Sequence, residues 1–224
     1  MIPRLQIELP KPLSTIVEER LRDAIVNAEL SFGQALSEDA VGLSLGVSRT
    51  PMREALTRLE QQGLVVIVPK KGTFVFQPTL EDVEQLASFR LLLETSALER
   101  CMERAPTETR DDMAAALEAM RAAREAGDTK AYARADTVFH ESFVNHCGNV
   151  HLANAYRTIS GRVAALRAHL SVPHSDQQDL SFGEHCRIIE AFEHRDAARL
   201  GELLSQHILR AQAAYANALV ERQR

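Results

Sequence analysis

Between Val47 and Leu64 the chain reads VSRTPMREALTRLEQQGL, where Met52, Ala55, Leu56 and Leu59 recur at helical spacing and Arg49 and Arg53 share another face. The pattern predicts a helix of about four turns. Its limits are written in the same segment: Ser48 at the N-cap, Pro51 in the first turn, Gly63 just past the end. One side packs, and the arginine face is left for phosphates and base edges. Upstream, Ser37 to Leu45 reads as a shorter helix with Ala40, Val41 and Leu43 apolar, and LGVS supplies a glycine-containing turn between the two helices. Downstream, LVVIV (Leu64 to Val68) and TFVF (Thr73 to Phe76) are strand-like runs joined by Pro69, Lys70, Lys71 and Gly72. Each piece alone fits an ordinary amphipathic helix or a structural hairpin. In this order they predict a winged helix-turn-helix that binds double-stranded DNA, with two lysines at the wing tip.

Gln77 and Pro78 break the strand pattern, and Thr79 with Asp82 opens a helix in the manner of a capping box. The expected division is therefore 1–78 for the winged helix and 79–224 for a second domain. No convincing strand follows. Helical segments are predicted over Leu80 to Arg104, Glu108 to Ala126, Lys130 to His146, Val150 to Leu170, Gln177 to His194 and Ala197 to Arg222. The breaks fall at Pro106, Gly127, Gly148, Pro173 and Asp196. The expected fold class is mainly α: a winged helix with a small β-hairpin, then an all-helical antiparallel bundle.

Composition narrows the classes. With 45% hydrophobic and 25% charged residues, the chain is neither disordered nor membrane-spanning in character. The aliphatic run of Leu64 to Val68 is far too short for a span, and MIPRLQIELPKPL lacks the basic start and apolar core of a signal peptide. A cytoplasmic location is expected. Cys101, Cys147 and Cys186 form no CxxC pair, so neither a disulfide framework nor a thiolate zinc site is suggested. Residues 1–78 hold nine basic and nine acidic side chains, so the net charge of −5 belongs to the second part. Ser44 to Phe74 nevertheless has five basic residues against two acidic ones. A small basic surface on an acidic molecule fits site-specific binding better than indiscriminate coating of nucleic acid.

The chemistry of the second part lies in histidine and aspartate. Asp136 and His140 are four residues apart, about 40° round a helix, so both can point at one spot. His185 in GEHCRIIEAF and His207 in LLSQHILRA are flanked by aliphatic residues at helical spacing and are expected to face inward. Bundle cores build metal sites from such facing helices. Taken singly, the Asp136–His140 pair fits a surface ion pair and each later histidine fits a satisfied core residue. Together one carboxylate and three imidazoles suit zinc, nickel, cobalt, manganese or iron(II), among which the sequence does not choose. His146 and His151 are poorer candidates, being about 140° apart and interrupted by Gly148, as are His169, His174 and His194 near helix ends. Arg90 and Glu94 share a face of a very apolar helix; they are either a structural ion pair or, for Arg90, a carboxylate receptor in the same cavity.

VSRTPMREAL, followed by DTVFH, the Gly148–Asn149 pair and EHCRIIEAF, resembles the GntR family of bacterial regulators, in its FadR-like branch with an FCD effector domain. The resemblance covers nearly the whole chain. It implies a homodimer, a short palindromic operator and a bundle that binds a small organic acid at a metal held by one Asp and three His. Carried over, those ligands are Asp136, His140, His185 and His207, around one divalent transition metal per chain, with zinc the first candidate. Arg49, Thr50 and Arg53 would read bases or phosphates, Ser48 would cap the helix, and Lys70, Lys71 and Gly72 would form the wing contact. There are departures. Ala28 and Phe32 stand where relatives commonly have Gly and Pro, though Gly33 is kept, and Asp39 stands where relatives often carry a basic residue that meets the DNA backbone.

These readings lead to a metabolite-responsive regulator, expected to repress until a carboxylate at the metal, paired with Arg90, shifts the bundle and acts through the linker at Gln77 to Thr79. No catalytic residue is assigned. The rivals are a metal-dependent hydrolase-like enzyme using the Asp/His set, against which stands the lack of a separate general base, and a regulator whose metal is purely structural.

Overall fold

A computed structural model describes residues 11–170 and 175–222, and Pro173, His174 and the signal-peptide reading of the first ten residues lie outside them. The winged helix comprises α1 (Leu13–Val26), β1 (Ala35–Leu36), α2 (Glu38–Leu45), α3 (Arg49–Gln61), β2 (Val65–Val68) and β3 (Gly72–Val75). Helix α1 buries Val17, Leu21 and Ile25 against α3, whose Met52, Ala55, Leu56 and Leu59 form the expected apolar stripe. In α2 the stripe differs from expectation: Val41 and Leu45 pack inward, whereas Leu43 is 85% exposed. The wing is more than a hairpin. β3 pairs antiparallel with β2 (Val66 opposite Phe74) and also with β1 (Leu36 opposite Thr73), giving the strand order β1-β3-β2.

The bundle comprises α4 (Leu80–Arg104), α5 (Pro106–Glu125), α6 (Thr129–His146), α7 (Val150–Leu170), α8 (Ser175–Glu193) and α9 (Ala197–Arg222). Thr79 and Asp82 form the full capping box at the start of α4, with Asp82 N–H donating to Thr79 Oγ1 at 3.0 Å and Thr79 N–H to Asp82 Oδ2 at 2.9 Å. α5 starts at Pro106, earlier than the expected Glu108, because proline at N1 needs no hydrogen bond. Phe139 and Phe143 of α6, Leu98 and Met113, and Ile188 and Leu204 meet in the core.

Helix α7 binds the two parts together. Its Ala165 lies within the winged-helix core, and its Gly161 faces Leu64 so closely that a Cβ would come within 3.0 Å of Leu64 Cδ1. Gly63, at φ +67°, ends α3 against Arg162 of α7, and a Cβ there would stand 3.1 Å from that guanidinium. At the end of α7, His169 stacks on Phe32 with centroids 4.0 Å apart, and its Nε2 lies 2.9 Å from the Ile25 carbonyl oxygen. Phe32 also packs edge-on against Phe76. The Phe32 departure therefore supplies a contact between the parts, alongside the chain linker at Gln77 to Thr79. Ala28 keeps the left-handed conformation, φ +56°, that glycine would adopt at lower cost.

Candidate functional site

Two sites stand on this frame. At the first, α3 presents Arg49, Thr50 and Arg53 to solvent, and the wing tip presents Lys70, Lys71 and Gly72. The arginines are not idle: Arg49 Nε and Nη2 donate to Asp39 Oδ1 and Oδ2 at 2.9 and 3.1 Å, and Arg53 Nε donates to Glu38 Oε2 at 3.0 Å. Both guanidinium groups are about 70% exposed, so these ion pairs are worth at most ~1 kcal/mol and a phosphate can displace them. Ser48 departs from expectation. It occupies the N-cap position of α3 with extended backbone, but its side chain makes no capping hydrogen bond. The third residue of the helix is Pro51, which has no N–H to offer, so the usual donor to such a cap is missing.

The second site is inside the bundle. Asp136 and His140 from α6, His185 from α8 and His207 from α9 are all buried, and one ligand atom from each lies within 4.8 Å of the others. His140 Nε2 is 3.2 Å from His207 Nε2 and 3.4 Å from His185 Nε2, which in turn is 3.3 Å from Asp136 Oδ1. His146 lies apart, 2.7 Å from Asp112.

The outer partners decide what these nitrogens can do. His140 Nδ1 donates to Glu94 Oε2 at 2.9 Å and His207 Nδ1 donates to Glu184 Oε2 at 2.7 Å. With the protons held there, the two Nε2 atoms face each other as bare lone pairs at a distance where neither can donate. A cation between them removes that repulsion. The separations of 3.2–3.4 Å fit as well, since ligands 2.0–2.1 Å from one ion lie about 3.0–3.4 Å apart. The residues present therefore fit a divalent transition metal, and carboxylate–histidine pairs of this kind orient ligands and strengthen them as donors.

Electrostatics point the same way. Burial opposes the charged form of Asp136, but Arg167 and then the three imidazoles outweigh it and hold the carboxyl well below its ordinary range. Burial, followed by Arg90, pushes His140 well below its ordinary value, and burial with His207 pushes His185 down to about 3. The imidazoles of His140 and His185 are thus kept neutral, as ligation requires. Burial disfavours the charge of Glu184 too, yet hydrogen bonds from His207 and Arg210 hold it down to about 2.

Glu184, Arg167 and Arg210 carry no expectation from the sequence, and Glu94 does more than pair with Arg90. Glu94, wholly buried, accepts from Arg90 Nε at 2.5 Å, from Tyr156 at 3.2 Å and from His140. Arg167 of α7 pairs with Asp136 and donates through Nη1 to Thr137 Oγ1 at 2.6 Å. Arg210 donates to Glu184 at 2.6 and 2.8 Å. Arg210 one turn after His207 was a readable signal; for Arg167 there was none. Arg90 forms the ion pair with Glu94 and also lines a cavity with Asp136, Arg167, His207 and Arg210. The cavity measures about 70 Å³. Arg90 Nη2 and His185 Nδ1 are buried and have no hydrogen-bond partner among the described residues.

Comparison with known proteins bears on both sites. Residues 13–75 match the family "Bacterial regulatory proteins, gntR family" and residues 85–210 match the FCD domain. The "Probable D-xylose utilization operon transcriptional repressor" of Paenarthrobacter nicotinovorans is 30% identical over 87% of this chain and 86% of its own length. The "Uncharacterized HTH-type transcriptional regulator YdhC" of Bacillus subtilis (strain 168) is 28% identical over 91% of this chain and 89% of its own. A crystal structure described as a transcriptional regulator GntR from Rhodococcus sp. RHA1 superposes with a TM-score of 0.81 at 24% identity, covering 91% of this chain and 97% of that one, which speaks for the fold. These families are regulators, so the hydrolase alternative falls away. No described helix is long and apolar enough to cross a membrane. The chain belongs to the GntR family of bacterial transcriptional regulators, with an FCD domain as its second part.

Proposed function

We propose that this regulator represses transcription as a cytoplasmic homodimer on a palindromic operator, and that a small organic acid bound at a metal in the bundle releases it. The domain division at residues 78 and 79 belongs to this reading. Its chief support is the convergence of three Nε2 atoms whose opposite nitrogens, in His140 and His207, are committed to carboxylates. The metal, zinc before nickel, cobalt, manganese or iron(II), supplies a Lewis-acid anchor for a carboxylate. Arg90, with Nη2 unpaired on the cavity wall, binds the acid's oxygen, and Glu94 fixes that guanidinium in place. Arg49, Thr50 and Arg53 contact the major groove, the open N-terminus of α3 beside Ser48 takes a phosphate, and Lys70, Lys71 and Gly72 contact the backbone or minor groove. Phe89 and Leu92 remain exposed on α4, about 60° apart round the helix, and suit pairing with a second copy.

Transmission runs through α7. Arg167 holds the ligand Asp136, and two residues further on His169 grips Phe32 and the Ile25 carbonyl of the winged helix. A small change in α7 packing thereby alters the angle of each recognition helix within a dimer. A hundredfold change in operator affinity requires a coupling of about 2.7 kcal/mol. The test combines metal analysis of the purified protein with thermal shifts across small carboxylates, with and without chelator. Acid-dependent stabilisation that vanishes with chelator is expected. Stabilisation by no acid, with His185→Ala changing neither metal content nor operator release, would leave only a structural metal or none.

A further inference from the structure

We infer that the effector is a dianion, with two negative charges within a few bonds of each other, and not a monocarboxylate; this rests on the metal-and-acid reading above. The buried charges around the cluster come in pairs: Arg90 with Glu94, Arg167 with Asp136, and Arg210 with Glu184. Three guanidinium groups and three carboxylates cancel, and the imidazoles are neutral when they ligate. Glu141, the further carboxylate near Arg167, is only half-buried and also faces Arg22 of α1, outside the cavity lining. The protein therefore neutralises its own charges fully and leaves none over for an ion. A divalent metal brings two positive charges into a site whose ligands are 4% exposed or less. Unneutralised charge at such depth is strongly unfavourable, and no described residue of the cavity lining supplies a spare carboxylate.

Two further observations agree. Arg90 Nη2 is a buried donor with no acceptor among the described residues, and Arg90 lines the cavity together with Asp136 and His207. One anionic group of the ligand meets the metal, and the other meets that free edge of Arg90. The cavity of about 70 Å³ has room for about five waters, which favours a short molecule. Tyr132 and Ser181, also on the lining, offer hydroxyls to its remaining oxygens. A short dicarboxylate and inorganic phosphate both meet this description, and they share the chemistry proposed.

The experiment is calorimetric titration of the metal-loaded full-length protein with succinate, malonate and inorganic phosphate, each set against butyrate or propionate. A dianion should bind at least about tenfold more tightly than the monoanion of matching length. Succinate or malonate prevailing over phosphate identifies the dicarboxylate source, and the reverse identifies phosphate. Arg210→Gln, at a quarter-exposed position, removes one positive charge and, with the protein loaded with metal, should shrink the preference by about tenfold. Equal binding of monoanions and dianions, or an unchanged preference in Arg210→Gln, overturns the inference while leaving acid sensing intact. Binding of none of these anions to the metal-loaded form overturns the sensing reading itself.

Discussion

Glu94→Gln is the most informative single change, because Glu94 is where Arg90, His140 and Tyr156 meet. Arg90 is 3% exposed and Glu94 wholly buried, so the substitution leaves a buried cation without its counter-ion. Breaking such a pair costs about 3–5 kcal/mol. For a chain of this size that is a fall in melting temperature of about 6–20 °C. A second effect is separable from the first. Glutamine can still accept one hydrogen bond, but it no longer polarises the His140 ring, and loss of such a partner weakens metal binding about 10–100-fold. Tyr156→Phe serves as the control, since it removes one neutral donor from the same carboxylate and should cost only about 1 kcal/mol without moving metal affinity. Thermal unfolding of the chelated protein reads the first effect, and competition with a chromogenic chelator reads the second. A stability loss below about 1 kcal/mol together with unchanged metal affinity would refute the reasoning.

Acid should loosen the metal-free protein before it touches ordinary carboxylates. Folding holds His140 and His185 below their unfolded value of 6.5, so the unfolded state binds more protons, and stability is lost as pH falls from about 6.5 toward about 3. The slope approaches about 2.7 kcal/mol per pH unit for the two groups, measurable by urea unfolding at several pH values, and bound metal, which also keeps the imidazoles deprotonated, should leave it at least as steep. Asp39→Ala should free Arg49 and raise affinity for DNA, with the slope of log affinity against log salt steeper by about one in fluorescence anisotropy; an unchanged slope means that Asp39 does not mask Arg49. His169→Leu should keep metal and acid binding but reduce the acid's effect on operator affinity at least about fivefold, as calorimetry and anisotropy on the same preparation would show.

What the sequence revealed and what it concealed divide along physical lines. The stripe of α3, the wing strands and the bundle helices are local patterns, and they were legible because helix and strand periods act over a few residues. β1 was not legible. Two residues are too few to carry a period, and their pairing with β3 is made across the whole of α2, α3 and β2. Helix α1 carries a readable stripe in Val17, Leu21, Ala24 and Ile25. In the cluster, Asp136 with His140 and Arg90 with Glu94 announce themselves by spacing, whereas the contacts of Glu94 with His140, Arg167 with Asp136 and Glu184 with His207 span 23 to 46 positions, and no local pattern marks them. The Arg49–Asp39 pair was hidden for the same reason, since it spans the turn between α2 and α3.

The central claim is that metal and acid together control DNA binding, and one measurement addresses it most directly. Fluorescence anisotropy would follow binding to a DNA site selected in vitro with this protein, for the metal-loaded, chelated and His185→Ala forms, each with and without the acid that calorimetry identifies. Operator affinity should fall about a hundredfold with acid in the metal-loaded form and change little in the other two. An equal response in all three forms, or none in the metal-loaded form, would contradict the account.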